Sequence, residues 1–578
     1  MATFEQILRE RVSAALKNAG LPDAGELTAA TDVRFGDYQT NAALILGKQR
    51  GENPRNVAAK ILDHLDVAGV TKQPAVAGAG FINFSLRSDA VEAKTAELLV
   101  DNRLGVGLTD SRKRIVIDFG SPNVAKPMHV GHIRSTLLGD ALARIAEFVG
   151  HEVIRDNHIG DWGTQFGMVI WGWKNLLNRD ALARDPIDEL VRIYKDTNER
   201  AGNDPQVREA ARQELVKLQS GDRENFSIWK ETVELSIREF ERAYELLDIR
   251  YDIQRGESFY NDRLPGVVER LLKAGIAQIS EGAVCIFFRE IPELADKPAI
   301  IRKRDGGFNY ATTDIATVDY RIRDLKADTI WIVTGAPQIL HFKQIFEIAR
   351  REGYSADFRH ITNGSILGED RKLMKTRSGE NVPLRDLLDE AITRARKIIE
   401  QKNPDLTGDE KEEIARIIGI GAVKYADLSQ YRMTDYVFSW DKMLSLHGNT
   451  APYLQNAYVR IRSIFRKAEQ TADQSGNATQ SGQGAMSLRL IEPAELSLGK
   501  KLTQFGEVVP QVLNDFRPNI LANYLFELAN TFHTFYEACP VLKAEEPVRT
   551  SRLGVAGLAA RVLKQGLQLL GIKVPEKM

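Results

Sequence analysis

Arg114-Ile-Val-Ile-Asp118 is the stretch that decides the fold, because it is typical of a buried β-strand and is followed at once by a polar turn and a helix. The helix begins at His129-Val-Gly-His132 and carries apolar residues at helical spacing as far as Val149. A second strand follows at Glu152-Val-Ile-Arg155. Strand, crossover helix and strand within about forty residues predict a βαβ unit of a parallel, Rossmann-type sheet.

A group of polar side chains falls where such a unit binds its ligand. Ligands of parallel α/β sheets lie beyond the carboxyl ends of the strands, beside helix N-termini. The sequence places at that edge Asp118, Ser121, Asn123, Lys126, His129 and His132. We interpret this edge as the candidate active site.

Composition sets the outer limits. A chain of 578 residues is expected to form several domains, and its 78 basic and 79 acidic residues give no net charge from which a polyanion-binding surface could be inferred. Cys285 and Cys539 have neither metal-site nor disulfide spacing, which fits a reducing compartment. No apolar run reaches membrane-spanning length, and acids stand where a targeting peptide avoids them, so a cytoplasmic protein without membrane association is expected.

Changes of pattern along the chain predict three domains. Residues 1–110 are typical of a small α/β module, and residues 111–445 of the Rossmann-type domain, with about 180–290 as a largely helical insertion. Residues 446–578 have an almost wholly helical pattern. Within them, the polar tract from Gln470 to Gly484 predicts a flexible loop between two helices.

His129 and His132 are three positions apart around Gly131 at a helix start, so both imidazoles share one helix face. There they can hold nucleotide phosphate oxygens, while the glycine lets a nucleotide ring approach the backbone. Two surface histidines are the plain alternative, but the adjoining cation and polar groups favour the binding role. A zinc site is disfavoured, because the HExxH pattern and a supporting cysteine are both absent from the sequence.

A second constellation is Asp305-Gly-Gly-Phe-Asn-Tyr310-Ala-Thr-Thr-Asp314, with Gln338 just after the apolar run 329–333. Tyr310 and Asp314 are i, i+4, so one helix face can present a phenol and a carboxylate together. With Asp118 across the sheet they would suit a planar, permanently charged guanidinium. The alternative is a surface carboxylate beside a half-buried aromatic residue.

A third constellation is the cation-dense loop Gly368–Gly379, which contains Arg371, Lys372, Lys375 and Arg377. Four cations so close together can neutralise a polyphosphate in a transition state, although charged loops are usually only solvated.

Taken together, these residues resemble the class I aminoacyl-tRNA synthetases, and the arginyl-tRNA synthetases in particular. Ser121-Pro-Asn-Val-Ala-Lys-Pro-Met-His-Val-Gly-His-Ile-Arg-Ser135 is similar to that family's version of the HIGH signature. Further family strings are Asp156–Gly167, the carboxyl-terminal Leu569–Met578, Phe35–Asn41 and Gly80–Asn83. The resemblance covers nearly the whole chain, and it implies a Rossmann-type catalytic domain, an N-terminal tRNA-contacting α/β module and a helical anticodon-binding domain.

The resemblance implies ligation of L-arginine to its tRNA in two steps. The arginine carboxylate attacks the α-phosphorus of ATP, and the arginyl group then passes to the 2′-hydroxyl of the terminal adenosine of the tRNA. A carboxylate is already an adequate nucleophile, so positioning and charge stabilisation are expected to dominate, with Mg²⁺ bridging the phosphates. The expected partners are arginine, ATP and tRNA, the expected state is a monomer, and no residue is assigned to a resident metal.

By similarity, each candidate residue receives a role. The ATP site would comprise His129, Gly131, His132, Lys375 and Arg377. The arginine pocket would comprise Asp118, Ser121, Asn123, His132, Tyr310, Asp314 and Gln338. The tRNA contacts would include Phe81 and Asn83 in the N-terminal module and Tyr453, Tyr536 and Met578 in the helical domain, where packing within the helical core is an equally good role.

One departure from the wider class concerns the KMSKS loop, whose place is occupied by Leu373-Met-Lys-Thr-Arg377. Many members of the family share this divergence, with a lysine upstream of the histidines as the substitute. We hypothesise that Lys126 and Lys375 together replace the missing lysine.

Three other functions fit the sequence less well. A relative that activates another amino acid conflicts with the set Tyr310, Asp314 and Gln338. A small-metabolite nucleotidyltransferase has no use for the long helical region after Leu446. A non-enzymatic RNA-binding relative would not need His129 and His132 intact.

Overall fold

The computed structural model describes residues 1–30, 32–375, 381–475 and 488–578. The amino-terminal part builds a four-stranded antiparallel sheet, in the order β1-β2-β4-β3, against helices. Helix α1 begins at a capping box between Thr3 and Gln6 and buries Phe4, Leu8 and Leu16. The elements of this part are α1 (Phe4–Asn18), β1 (Leu27–Ala29), β2 (Tyr38–Thr40), α2 (Ala42–Arg50), α3 (Pro54–Leu62), β3 (Ala75–Ala77), β4 (Phe81–Phe84) and α4 (Ser88–Val100), with a 3-10 turn at Val33–Phe35.

The middle part is built on a parallel sheet covered by helices. Its elements are β5 (Arg114–Asp118), α5 (Val130–Phe148), β6 (Glu152–Ile159), α6 (Gln165–Leu176), α7 (Arg179–Arg184), α8 (Pro186–Asn203), α9 (Pro205–Gln219), α10 (Arg223–Leu246), β7 (Ile253–Gly256), α11 (Leu264–Lys273), β8 (Gln278–Ser280), β9 (Ala283–Ile286), β10 (Ala299–Arg302), α12 (Tyr310–Arg323), β11 (Thr329–Gly335), α13 (Ile339–Arg351), β12 (Asp357–Asn363), β13 (Ile366–Leu367), α14 (Leu384–Lys402), α15 (Gly408–Leu428), β14 (Tyr436–Val437) and α16 (Trp440–Met443), with 3-10 segments at Glu257–Arg263 and Ala336–Gln338.

The central sheet has five parallel strands in the order β12-β11-β5-β6-β7. Strand β5 lies in the middle, with Val116 opposite Ile330 of β11 and Ile154 of β6. The predicted βαβ unit is therefore present, and β11 is buried along its apolar run, as expected for an inner strand of a parallel sheet. Because the strands are parallel, their carboxyl ends all open onto one edge.

Two details add to the sequence interpretation. The range 180–290 is largely helical, and it also contains β7, which is an edge strand of the central sheet. The apolar segments near Val284 and Ile300 form a separate three-stranded antiparallel sheet, β10-β9-β8. Short segments that lack a following helical pattern give no sequence signal for the sheet they join.

The carboxyl-terminal part is a bundle of helices, α17 (Ala451–Ser475), α18 (Pro493–Thr503), α19 (Phe505–Asp515), α20 (Pro518–Ala538) and α21 (Val548–Leu569). The predicted loop tract from Gln470 begins inside α17, and its residues 476–484 lie outside the described residues. Across the described ranges, every helix is too short or too polar to cross a lipid bilayer.

The bundle contacts both other parts of the chain. Lys500 of α18 forms an ion pair with Asp37 at 2.7 Å, and the Tyr38 hydroxyl donates a hydrogen bond to Glu507 of α19 at 2.9 Å. Lys424 of α15 is buried and donates to the carbonyl of Gly571 at 2.7 Å, just after α21. The amino-terminal sheet, the central sheet and the bundle are thus joined by specific polar contacts as well as by apolar packing.

Candidate active site

His129 and His132 stand together at the N-terminus of α5. His129 is the N-cap residue, and its Nδ1 accepts a hydrogen bond from the Gly131 amide at 3.1 Å. The His132 Nδ1 accepts in turn from the His129 amide at 3.2 Å, and the ring centroids are 4.0 Å apart. Because each Nδ1 is an acceptor, each neutral ring carries its proton on Nε2, where it can be donated to a ligand.

Both imidazoles are held neutral. Burial, with the charge of His129 adding to it, lowers the pKa of His132 to about 4. Burial and the nearby Lys126 also lower the pKa of His129. Gly131 is required between them, since an added Cβ would lie 2.8 Å from the Cε1 atom of His129. The start of α5 therefore offers N–H donors and the positive end of a helix dipole, which suits a phosphate.

The turn after β5 is fixed by short-range hydrogen bonds. Gly120 and Ser121 both have positive φ, 87° and 46°. The Ser121 hydroxyl donates to the Asp118 carboxylate at 2.9 Å, which fixes the serine side chain in that turn. Asn123 packs on Gly160 after β6, where an added Cβ would lie 2.2 Å from the Asn123 Oδ1 atom. The turns after β5 and β6 are therefore in direct contact.

Asp118 already has a cationic partner in the protein. It is 6% exposed, and its Oδ2 accepts a hydrogen bond from the Arg321 guanidinium at 2.6 Å. The same guanidinium bonds to Asp156 at 2.9 Å. Sequence reasoning placed Asp118 against a ligand guanidinium and did not find Arg321, which lies 203 positions along the chain.

Tyr310 and Asp314 both contact His341, and Gln338 lies three positions before it. The His341 Nε2 and the Asp314 carboxylate are 2.6 Å apart, and the Tyr310 ring centroid is 4.9 Å from that of His341. Gln338 ends the 3-10 segment immediately before α13, the helix that carries His341. Tyr310 is 61% exposed, so its ring faces solvent at the mouth of the cleft. The predicted phenol and carboxylate thus share one helix face beside an imidazole.

Glu257 is a carboxylate that sequence reasoning missed. It follows β7, and burial raises its pKa to about 8, with the negative charges of Asp314 and Asp161 adding to the effect of burial. Asp161 follows β6 and accepts hydrogen bonds from the amide and hydroxyl of Ser258 at 2.8 and 2.6 Å. Recognition of the short β7 would have exposed Glu257, because residues after parallel strands line the ligand edge.

These residues are linked from the turn at Asn123 to helix α12. Asn123 touches Gly160, the next residue Asp161 contacts the segment of Glu257, and the charge of Asp314 is near enough to raise the pKa of Glu257. Carboxylates and imidazoles thus meet along one edge of the sheet, as the strand-end rule predicts.

The cations assigned to the phosphates are placed unequally. The Lys126 Nζ lies 5.9 Å from the centroid of the Tyr194 ring and close enough to His129 to lower the pKa of that histidine. Lys375 is exposed and forms an isolated β-bridge with Asn381. Arg377 lies outside the described residues.

The candidates for nucleic-acid contact fall into different surroundings. Tyr536 and Met578 line one cavity of about 680 Å³, together with Arg460, Arg466, Lys543 and Lys577. Tyr453 is not among the lining residues of that cavity, and its hydroxyl donates to Asn530 at 2.6 Å. Phe81 of β4 is half-buried, and Asn83 is buried in the same strand.

Family models match the chain in three consecutive segments. Residues 6–86 match the arginyl tRNA synthetase N terminal domain, residues 94–440 match the catalytic domain of tRNA synthetases class I (R), and residues 454–578 match the DALR anticodon binding domain. The resemblance drawn from the sequence is confirmed.

Curated relatives and solved structures agree with these models. The arginine–tRNA ligase of Cyanothece sp. (strain PCC 7425 / ATCC 29141) is 47% identical over 563 residues, 96% of this chain and 95% of the relative. That of Chromobacterium violaceum is 44% identical over the full length of both chains. Among solved structures, the arginyl-tRNA synthetase of Plasmodium falciparum superposes with a TM-score of 0.83 at 27% identity, covering 100% of both chains. That of Thermus thermophilus gives 0.83 at 26%, covering 99% of this chain and 100% of its own. The chain therefore belongs to the arginyl-tRNA synthetase family of the class I aminoacyl-tRNA synthetases.

Proposed function

We propose that this chain performs the family's reaction, the ligation of L-arginine to its cognate tRNA, with the cleft at the carboxyl edge of the central sheet as its active site. The observation that carries this assignment is that carboxyl groups after β6 and β7 lie at the same edge of the central sheet as a pair of neutral imidazoles at the start of α5. The carboxylates suit a guanidinium, and the imidazoles suit a triphosphate.

ATP binds at the start of α5. The Nε2–H groups of His129 and His132 donate to phosphate oxygens, and the helix dipole favours the negative charge of the phosphates. Gly131 leaves room above the backbone for the nucleotide. Mg²⁺ would be held by the phosphate oxygens and water and would offset the charge of the phosphates. The arginine carboxylate attacks the α-phosphorus and pyrophosphate leaves. The tRNA 2′-hydroxyl then attacks the carbonyl of the arginyl-adenylate, and AMP leaves.

Arginine binds with its guanidinium between Glu257 and Asp314. Burial and the charge of Asp314 together raise the pKa of Glu257 so that it retains a proton, and an incoming cation would restore its negative charge. The Tyr310 hydroxyl adds a neutral contact at the mouth of the cleft. Ser121, Asn123, His132 and Gln338 hold the amino-acid end, which directs the carboxylate toward the ATP phosphates.

Aminoacylation of total tRNA, tested with each of the twenty amino acids, is expected to show charging with arginine alone. In the same assay we expect Asp314→Asn to raise the arginine KM by about 30- to 4000-fold, because loss of one partner of a desolvated charge pair costs roughly 2–5 kcal/mol. The ATP KM should stay within about twofold of the wild-type value, as the change lies away from the phosphates.

Asp319→Asn is the matched control, since Asp319 lies on the same helix but pairs with Arg323 at 2.6 Å on another face. It should leave both KM values unchanged. Equal rises for arginine and ATP in Asp314→Asn, or an equal effect of the two substitutions, would contradict the assignment of Asp314.

Arginine binding should release protons from Glu257. The pKa of about 8 leaves this carboxyl mostly protonated at pH 7, and an adjacent guanidinium lowers that pKa. We therefore expect release of roughly nine-tenths of a proton at pH 7, falling toward zero as the pH rises through 9. Calorimetric titration with arginine in phosphate and in Tris, whose ionisation enthalpies differ, measures the number released.

Glu257→Gln should abolish this release and weaken arginine binding. Glu290→Gln, at an exposed carboxylate paired with Arg351, should change neither quantity. Unaltered proton release in Glu257→Gln would show that another group supplies the proton.

Lys126 and Lys375 together replace the KMSKS lysine that is missing from this chain. Lys126 follows the turn that carries Asn123 and is close to His129, so its ammonium can reach the phosphates held there. We expect Lys126→Ala to slow arginyl-tRNA formation in single-turnover experiments by about 10²-fold or more, as for other losses of transition-state charge stabilisation. A rate equal to that of the wild type would remove Lys126 from the mechanism.

The anticodon loop binds at the cationic cavity that contains Tyr536 and Met578. Single-stranded bases stack on aromatic rings, and the five cationic residues that line the cavity suit the phosphates. We expect Tyr536→Ala to raise the tRNA KM by about 10-fold or more, since stacking contributes roughly 1–3 kcal/mol per base, while Tyr536→Phe retains near wild-type values. A tRNA KM unaffected by alanine would assign Tyr536 to helix packing. Phe81 and Asn83 remain proposed contacts of the N-terminal module.

A further inference from the structure

A buried guanidinium joins helix α12 to two strands of the central sheet beneath the proposed arginine site. Arg321 of α12 is 1% exposed, and it bonds to Asp118 at the end of β5 at 2.6 Å and to Asp156 of β6 at 2.9 Å. The two carboxylates are direct neighbours in the parallel register, so both side chains point to the same face of the sheet. We call Arg321, Asp118 and Asp156 the buried triad.

The shared guanidinium lies between two neighbouring buried carboxylates and bonds to both. Burial raises the pKa of Asp156, whereas the charge of Arg321 opposes that rise. Burial alone would lower the pKa of Arg321, yet Asp118 and Asp156 raise it above its usual value. Loss of one member of such a group leaves an uncompensated buried charge, so the three groups fix one another's positions.

The buried triad holds both halves of the proposed arginine site. On one side, the Asp118 carboxylate also accepts from the hydroxyl of Ser121 and so fixes the turn after β5. On the other side, Arg321 lies seven positions after Asp314 on α12, which places the two residues on one face about 10 Å apart along the axis. A change in the position of the Arg321 side chain would therefore move Asp314 relative to Ser121.

We propose that Arg321 is a positioning residue for arginine recognition, and that Asp118 acts through Arg321 and Ser121 instead of contacting the substrate guanidinium. This inference rests on the proposed function, because it assigns the residues that hold the arginine site in shape. Both oxygens of Asp118 are engaged within the protein, whereas the Asp314 carboxylate, which bonds to His341 through Oδ2, remains 22% exposed. The triad sets the distance between the site's two halves.

The test is a double-mutant cycle of Arg321→Lys and Asp118→Asn, read as separate KM values for arginine, ATP and tRNA. We expect each single variant to raise the arginine KM by roughly 10- to 100-fold with ATP and tRNA within about twofold, because small misplacements of binding groups have effects of this size. The arginine KM of the double variant should not exceed that of the more impaired single variant, since both substitutions disrupt one unit.

Arg155→Lys is the matched control. Arg155 precedes Asp156 on β6, is 2% exposed and bonds to Glu147 at 2.6 and 2.7 Å, but successive strand residues face opposite sides of the sheet. It should lower the midpoint of thermal unfolding about as much as Arg321→Lys without changing the arginine KM. Should the lysine variant not fold, Arg321→Gln replaces it.

Several outcomes would overturn the inference. An additive cycle, or a normal arginine KM in Arg321→Lys beside a raised one in Asp118→Asn, would place Asp118 on the substrate. Equal rises for arginine and ATP, or failure of both Arg321 variants to fold while Arg155→Lys folds, would make the triad a fold element only. A wild-type chain that forms no arginyl-tRNA would instead refute the proposed function, and it is assayed first.

Discussion

The cost of keeping carboxylates in a desolvated site is the constraint on which this site depends. A guanidinium is recognised by carboxylates, but a desolvated carboxylate is costly unless something compensates it. Each acid at the edge of the sheet has a different compensation. Asp118 and Asp156 share Arg321, Asp161 accepts from Ser258, Asp314 pairs with His341, and Glu257 keeps its proton. Asp314 and Glu257 are the two carboxyl groups that can exchange their present compensation for a ligand cation.

The same reasoning applies to the neutral imidazoles of the proposed ATP site. A protonated His132 would place a fixed cation in the site proposed to receive the charged arginine. Burial holds its pKa near 4, so the contribution proposed for it in phosphate binding is a directed N–H group. The mobile positive charge in this proposal comes from Lys126, whose flexible side chain lies against Tyr194. In the proposed site, the rings therefore supply direction and the lysine supplies charge.

Much of this arrangement could be predicted from sequence, because local patterns decided it. The apolar run of β5, the helical spacing after His132 and the i, i+4 pair Tyr310 and Asp314 are all short-range signals, and all are confirmed as structure. Strand β7 was not recognised, since Ile-Gln-Arg-Gly has neither alternation nor an apolar run. Glu257, which follows this strand, was therefore not predicted as a site residue. Arg321 was missed because a charged residue within Tyr-Arg-Ile-Arg looks like a solvated helix face, and its partner lies 203 positions away.

Helix α5 links the proposed ATP site to the rest of the chain by close packing as well as by polar contacts. Its N-terminus carries the two imidazoles, and Gly139 near its middle passes so close to Phe119 that an added Cβ would lie 2.3 Å from the ring. One position further, Asp140 approaches Gly571 in the carboxyl-terminal tail, where an added Cβ would lie 2.8 Å from the Asp140 carboxylate. A side chain at 139 would push α5 away from Phe119, whereas one at 571 would be strained by a φ of 69° and would displace the Asp140 side chain. The position of α5, and with it that of the imidazoles, therefore depends on a glycine that no binding motif would have selected.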